Sequence, residues 1–322
     1  MIELQELTKT YGDGTRALRG VSLSFDRGML GLLGPNGAGK TTFLSILTLS
    51  LEPSSGRRLY DGLDAAQARL RPAIRRRIGY LPQDYRPLGD LTGREYLTHV
   101  ARLRGVPLGR KSLTARVGGL LESVGLAAAA DRRSGEYSGG MQRRLGIAQA
   151  LIHSPRLVVV DEPTAGLDPE ERIRFRGLIT DISESTAVLL STHIVEDVEA
   201  TCPRLAVIGR GSLLFDGPPS ELLRAAAGRL WQLPAGAELP AGAVEVTYRS
   251  DHQGAVERVV WSPAPIPGAQ LRAVTLEEAY GAWLAVRGMG LDLAEPSPPG
   301  PLSHTHSHPP GRGGILGEAS SS

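Results

Sequence analysis

Three short stretches of this sequence carry residue types suited to holding and cleaving a phosphate chain. Residues Gly34, Pro35, Asn36, Gly37, Ala38, Gly39, Lys40 and Thr41 meet the Gly-x-x-x-x-Gly-Lys-Thr spacing of a P-loop, and Thr42 follows at once. The glycines let backbone N–H groups turn toward phosphate oxygens, and a helix opening behind them adds the positive end of its dipole. Lys40 is placed to contact the β- and γ-phosphates, and Thr41 to offer its hydroxyl to Mg²⁺, a hard ion that takes oxygen ligands. The second stretch, Val158-Val159-Val160-Asp161-Glu162, is an apolar strand ending in two carboxylates. Ligands of α/β proteins collect at such strand ends, so Asp161 reads as the Mg²⁺ holder and Glu162 as the base that deprotonates the attacking water. In the third, Tyr137-Ser138-Gly139-Gly140-Met141-Gln142, Ser138 is a good N-cap for a helix carrying Met141, Leu145, Ala148 and Ile152 on one face. Its free N–H groups could receive a γ-phosphate, although in isolation an ordinary capped helix is the better reading.

These residues need a scaffold, and the apolar pattern supplies one. Short runs at Met29–Leu33, Leu157–Val160 and Ala187–Leu190, each ending in polar residues, are the mark of parallel strands buried on both faces. Alternation in Ile2–Leu7 and Leu18–Phe25 predicts an antiparallel entry around the turn-like Tyr11-Gly12-Asp13-Gly14. Thr42–Leu51 is apolar enough for a buried helix, and Leu91–Gly125 reads as a helical insertion. From Gly228 the character changes: Val244–Tyr248 and Val256–Trp261 look like hairpin strands, and Thr275-Leu276-Glu277-Glu278 opens a helix through Val286 with a capping box. Beyond Pro296 the chain is mostly Pro, Ser, Gly and His, a composition that cannot offset the entropy of folding.

At this point the sequence resembles the ATP-binding subunits of ABC transporters. The carriers are the P-loop, the core Ser138-Gly139-Gly140 of the family's signature, and the acidic pair, taken in their family order. Tyr137 and Met141 stand where that signature has leucine and glutamine, a variation similar to that of drug- and polysaccharide-type exporters. The resemblance, over about Ile2–Leu223, implies further roles. Gln83 is similar to the Q-loop glutamine, which senses Mg²⁺ or the attacking water. Asp168, in Ala165-Gly166-Leu167-Asp168, is similar to the D-loop residue that packs on a partner subunit. His193 is similar to the switch histidine that bonds the γ-phosphate. Tyr11 sits where the family stacks an aromatic on adenine, with a core-packed tyrosine as the competing reading. What the resemblance implies is a P-loop NTPase core of α/β class with a mainly parallel sheet, an antiparallel β part, a helical signature subdomain and a small C-terminal α+β extension. The expected division is 1–223 for the ATPase (helical part about 84–155), 228–290 for an accessory domain and 296–322 for a disordered tail. The resemblance also implies ATP and Mg²⁺, and a homodimer or paired ATPase subunit joined through Ser138, Gly140 and Asp168. A separate membrane permease would be driven, with export favoured.

Composition agrees with this. The 322 residues hold 36 Lys and Arg against 34 Asp and Glu, too balanced to imply nucleic acid. One cysteine, Cys202, excludes an internal disulfide and suits a buried filler in a reducing compartment. The opening residues lack the order of a signal peptide and no apolar run reaches membrane-helix length, so a cytoplasmic protein, peripheral on the membrane, is expected. The competing reading is a soluble ABC ATPase acting on ribosomes or DNA, but one cassette without sustained heptads disfavours it. A regulatory nucleotide-binding module without turnover is opposed by the presence of both Glu162 and His193. Arg75-Arg76-Arg77 and Arg143-Arg144 read as solvated faces, and His304, His306 and His308 as part of an unstructured tail.

Overall fold

The structure is a computed structural model that describes residues 1–234, 236–250 and 256–288, all within one compact unit. The expected tail, with its three histidines, lies outside the described residues.

The chain opens with β1 (Ile2–Thr10) and β2 (Arg16–Phe25), then β3 (Gly28–Leu33) and α1 (Lys40–Leu47). β4 (Ser55–Tyr60), β5 (Leu63–Asp64), α2 (Arg71–Arg75) and β6 (Ile78–Leu81) follow. Three helices come next, α3 (Gly93–Leu103), α4 (Arg110–Ser123) and α5 (Gly139–Leu151). The chain then alternates through β7 (Leu157–Asp161), α6 (Pro169–Ser183), β8 (Ala187–Ser191), α7 (Val195–Thr201), β9 (Arg204–Gly209), β10 (Ser212–Gly217) and α8 (Pro219–Ala226). It finishes with β11 (Leu230–Pro234), β12 (Val244–Ser250), β13 (Val256–Trp261), β14 (Gln270–Leu271) and α9 (Leu276–Val286).

The central sheet has the order β10-β9-β3-β8-β7-β6, parallel from β9 to β6, with β10 antiparallel at one edge. Every residue of β7 and β8 is buried, as expected for strands covered on both faces. Along β3 the side chains alternate: Leu30 and Leu32 join Phe43, Leu44 and Ile46 of α1 in one core, while Met29 and Leu33 join Leu145 and Phe175 in the other. The antiparallel sheet β2-β1-β4-β5 completes the entry, and β12-β13-β11-β14 forms a third sheet beneath α9. Thr275 and Glu278 form the expected capping box, and Trp283 of α9 meets Phe215 of β10 edge to face at 5.5 Å.

Sheet order and register position the chemistry. β8 lies between β3 and β7, and Leu32, Ser191 and Asp161 stand in one row across the three strands. All three therefore end together, and the residues that follow them emerge at one edge. The signature helix α5 is held to the same sheet by a close approach: a Cβ on Gly79 of β6 would come within 2.3 Å of the Ala150 carbonyl oxygen. Gly79→Ala must push α5 off the sheet, so it should cost about 1–3 kcal/mol and lower Tm by several degrees. Scanning calorimetry of the variant checks this, and an unchanged Tm would refute the contact.

Candidate functional site

The phosphate loop is shaped by glycine at two crowded points. Gly39, the N-cap of α1, has φ +103°, and a Cβ there would meet the Ala17 carbonyl oxygen at 2.5 Å; a Cβ on Gly34 would meet that of Ile208 at 2.3 Å. No acidic residue lies in the first turn of α1, so no side chain there offsets its positive end. Lys40 Nζ donates to the carbonyl oxygens of Gly34 at 2.5 Å and Pro35 at 3.3 Å, which holds the ammonium inside the loop. Burial pulls its pKa down, while the charges of Glu162 and Asp161 oppose that shift.

Asp161 ends β7 and Glu162 follows in the left-handed region, φ +46°, with its N–H donating to Ser191 O at 2.8 Å. Both carboxylates are buried, at 6% and 7% exposure. Burial raises the pKa of Asp161; the Ser191 hydroxyl and the charges of Lys40 and Arg143 pull it back. Glu162 Oε2 lies 2.7 Å from His193 Nδ1 and accepts a second, longer bond from the His193 backbone N–H at 3.3 Å. The histidine thus reaches the acid pair from β8, the strand between lysine and carboxylates.

These groups share one cleft of about 690 Å³, lined by the whole loop from Pro35 to Thr42 and by Tyr11, Gln83, Asp161, Glu162 and His193. Tyr11 is 40% exposed, which excludes the core-packed alternative, and its hydroxyl is 3.1 Å from Thr42 Oγ1. Arg16, Arg19 and Arg210 also line the cleft, and sequence reasoning missed them. Their charge was the only available signal; nothing local places β2 and the β9–β10 turn at this rim. Ser138, Gly139, Gly140 and Asp168 are not among the lining residues. Ser138 is exposed and caps α5, accepting from the Met141 N–H at 3.3 Å; Asp168 is exposed and caps α6, accepting from the Glu171 N–H at 2.9 Å. Gly140 is buried beneath the Glu171 carboxylate.

The reading of Arg143 and Arg144 as a solvated face is corrected. Arg144 is 6% exposed and paired with Glu171 of α6, and Arg143 Nη1 donates to the backbone oxygen of Gln83 at 2.5 Å. Helix α5 is enclosed on several sides, so arginine is accommodated there by pairing.

The donor set fits Mg²⁺. Thr41, Gln83 and Asp161 each bring an oxygen able to ligate a hard cation to the cleft, and Asp161 has no ion-pair partner among the described residues. Such an ion is held through one or two carboxylates and completes its shell with phosphates and water.

Residues 18–165 match the family described as ABC transporter. The chain is 38% identical over 223 residues to the uncharacterized ABC transporter ATP-binding protein YxlF of Bacillus subtilis (strain 168), covering 69% of this chain and 72% of that protein. It is 42% identical over 236 residues to the phosphonates import ATP-binding protein PhnC of Chromohalobacter salexigens, covering 69% and 86%. The match to ABC transporter A family member 12 of Arabidopsis thaliana, 38% over 252 residues, spans 77% of this chain and only 26% of that longer protein. Among solved structures, a dimeric post-hydrolysis state of the ATP-binding cassette MJ0796 with ADP and Pi superposes with a TM-score of 0.61 at 25% identity, over 68% of this chain and 98% of that one. CbiO1 of Clostridium perfringens, part of the ABC transporter complex cbiONQ, gives 0.64 at 28%, over 69% and 90%.

Proposed function

This chain belongs to the family of ABC transporter ATP-binding subunits, and from that premise we propose that it drives solute outward through a separate permease. ATP hydrolysis is the family's activity; the residue roles, the magnesium ion and the direction are our reading. The observation that carries the reading is the convergence of Lys40, Asp161, Glu162 and His193 on one cleft that excludes Ser138.

In this reading Lys40 and the loop N–H groups bind the β- and γ-phosphates, and Arg16, Arg19 and Arg210 add positive charge at the rim. Tyr11 offers its exposed ring to adenine. Thr41, Asp161 and Gln83 would hold Mg²⁺, which neutralises charge on the phosphates when bound. Glu162 takes the proton from the attacking water, and the bond from His193 Nδ1 fixes the carboxylate while that proton moves. A partner subunit brings Ser138, Gly139 and Gly140 to the γ-phosphate, with Asp168 at the junction; the free N–H groups of α5 suit that contact. We assign 1–223 to the ATPase and 228–290 to an accessory part, and place the protein at the inner face of the membrane on its permease.

Export is supported by the Tyr137 and Met141 variant of the signature and by the C-terminal extension. The identity to PhnC, named for phosphonate import, favours the inward alternative. Inside-out vesicles carrying this subunit with its cognate permease discriminate the two. ATP added outside should drive solute into the lumen. Movement out of preloaded vesicles would reverse the assignment.

A further inference from the structure

The loop leaving β7 and the segment leaving β8 are joined twice. One joint is the bond between Glu162 and His193. The other lies deeper: Thr164, two residues past Glu162, donates its hydroxyl to Asp197 Oδ2, four residues past His193. Both partners are 1% exposed. With the two stretches of backbone, the side-chain bonds close a ring that has the glutamate and histidine at its open end and the threonine and aspartate at its buried end.

The buried end is anchored. Arg176 of α6 donates from Nε to Asp197 Oδ1 at 2.7 Å and pairs with the same oxygen through Nη2, so the carboxylate is charge-compensated and bonded on both oxygens. Helix α7, which carries Asp197, is seated against the phosphate-loop strand. A Cβ on Gly31 of β3 would meet Val198 Cγ1 at 2.8 Å and Cys202 Sγ at 3.2 Å, so only glycine allows this approach. The Thr201 hydroxyl donates back to the Asp197 carbonyl at 2.6 Å. Asp197 therefore sits on a helix fixed to β3 while gripping the loop that follows β7 and the helix capped by Asp168.

We infer that Asp197 is a positioning residue for hydrolysis, setting the Glu162–His193 pair through Thr164 and Arg176; this rests on the proposed roles of Glu162 and His193. It touches no substrate. Its effect is on how long the base and histidine stay in register, and so on kcat, while the groups that bind phosphate are untouched.

Replacing Asp197 itself would leave Arg176 partly buried and unpaired, so the test is made at Thr164. Thr164→Val keeps the shape and removes the hydroxyl; Thr164→Ser keeps the hydroxyl. MgATP turnover at 25 °C should fall about tenfold in Thr164→Val, the rate equivalent of one hydrogen bond to a charged group, with KM nearly unchanged. Thr164→Ser should restore it. In a His193→Ala background Thr164→Val should produce no further fall, because the pair it serves is already broken. Unchanged kcat in Thr164→Val, or two effects that simply multiply in the double variant, would overturn the inference and leave Thr164 with a merely structural role. If His193→Ala alone has normal kcat, the proposed role of His193 fails first, a result distinguishable from either. Should Thr164→Val not fold, Thr164→Ala, which removes the hydroxyl without adding bulk and leaves the Arg176–Asp197 pair intact, is read in the same cycle with the same two outcomes.

Discussion

Replacing Glu162 with glutamine should leave ATP binding intact and slow hydrolysis by about 10²–10⁴-fold. The substitution is nearly isosteric, and the amide oxygen can still accept the His193 Nδ1 bond now made at 2.7 Å, so the local geometry survives. What is lost is a group able to take a proton from water. Glu162 is 7% exposed and shares its cleft with Lys40 and Asp161, so little bulk water competes for this position. Single-turnover measurements isolate the chemical step, and size-exclusion runs in MgATP should show an accumulated dimer, since closure is no longer followed by hydrolysis. Hydrolysis at the normal rate would assign the base elsewhere.

An equally large effect is expected from pairing damaged subunits. Ser138 is exposed at the start of α5 and outside the cleft that holds Lys40. A two-fold head-to-tail dimer would bring each Ser138 to the other subunit's phosphate loop, and the two sites would then be built from both chains. Heterodimers isolated through two affinity tags separate this from sites within single chains. A Lys40→Ala subunit paired with a Ser138→Arg subunit gathers both defects in one site and leaves the other whole, so about half the wild-type rate and one retained MgATP per dimer are expected. A doubly substituted subunit paired with wild type damages both sites and should be silent. Self-contained sites would give the reverse pattern, because the first pair would have no intact subunit and the second would have one.

Much of this site could be read from the chain because its loops follow directly from strand ends. Gly34–Thr42, Asp161–Glu162 and His193 each lie within a few residues of a buried apolar run, and such runs are visible in sequence. Strand order is not. That β8 lies between β3 and β7, and so brings His193 between the lysine and the acids, depends on pairing Gly28 with Ala187 as well as Leu157 with Ala187, partners that no local pattern connects. Separation along the chain likewise hides the arginines of the cleft rim, and the bond between Thr164 and Asp197 across 33 positions. Arg144 was misread for a related reason: helical periodicity reports one buried face, and α5 is enclosed on more than one. The accessory hairpin and α9 were legible from alternation and a capping box, both local signals.

The backbone of Glu162 carries a consequence for how such a chain could decay. A non-glycine residue at φ +46° pays about 1 kcal/mol for its left-handed conformation. Glycine at this position would relieve that cost and delete the proposed base in the same step. Against that gain stand the buried carboxylate and the two bonds it accepts from His193, so the net change in folding stability on Glu162→Gly is the small difference of the two.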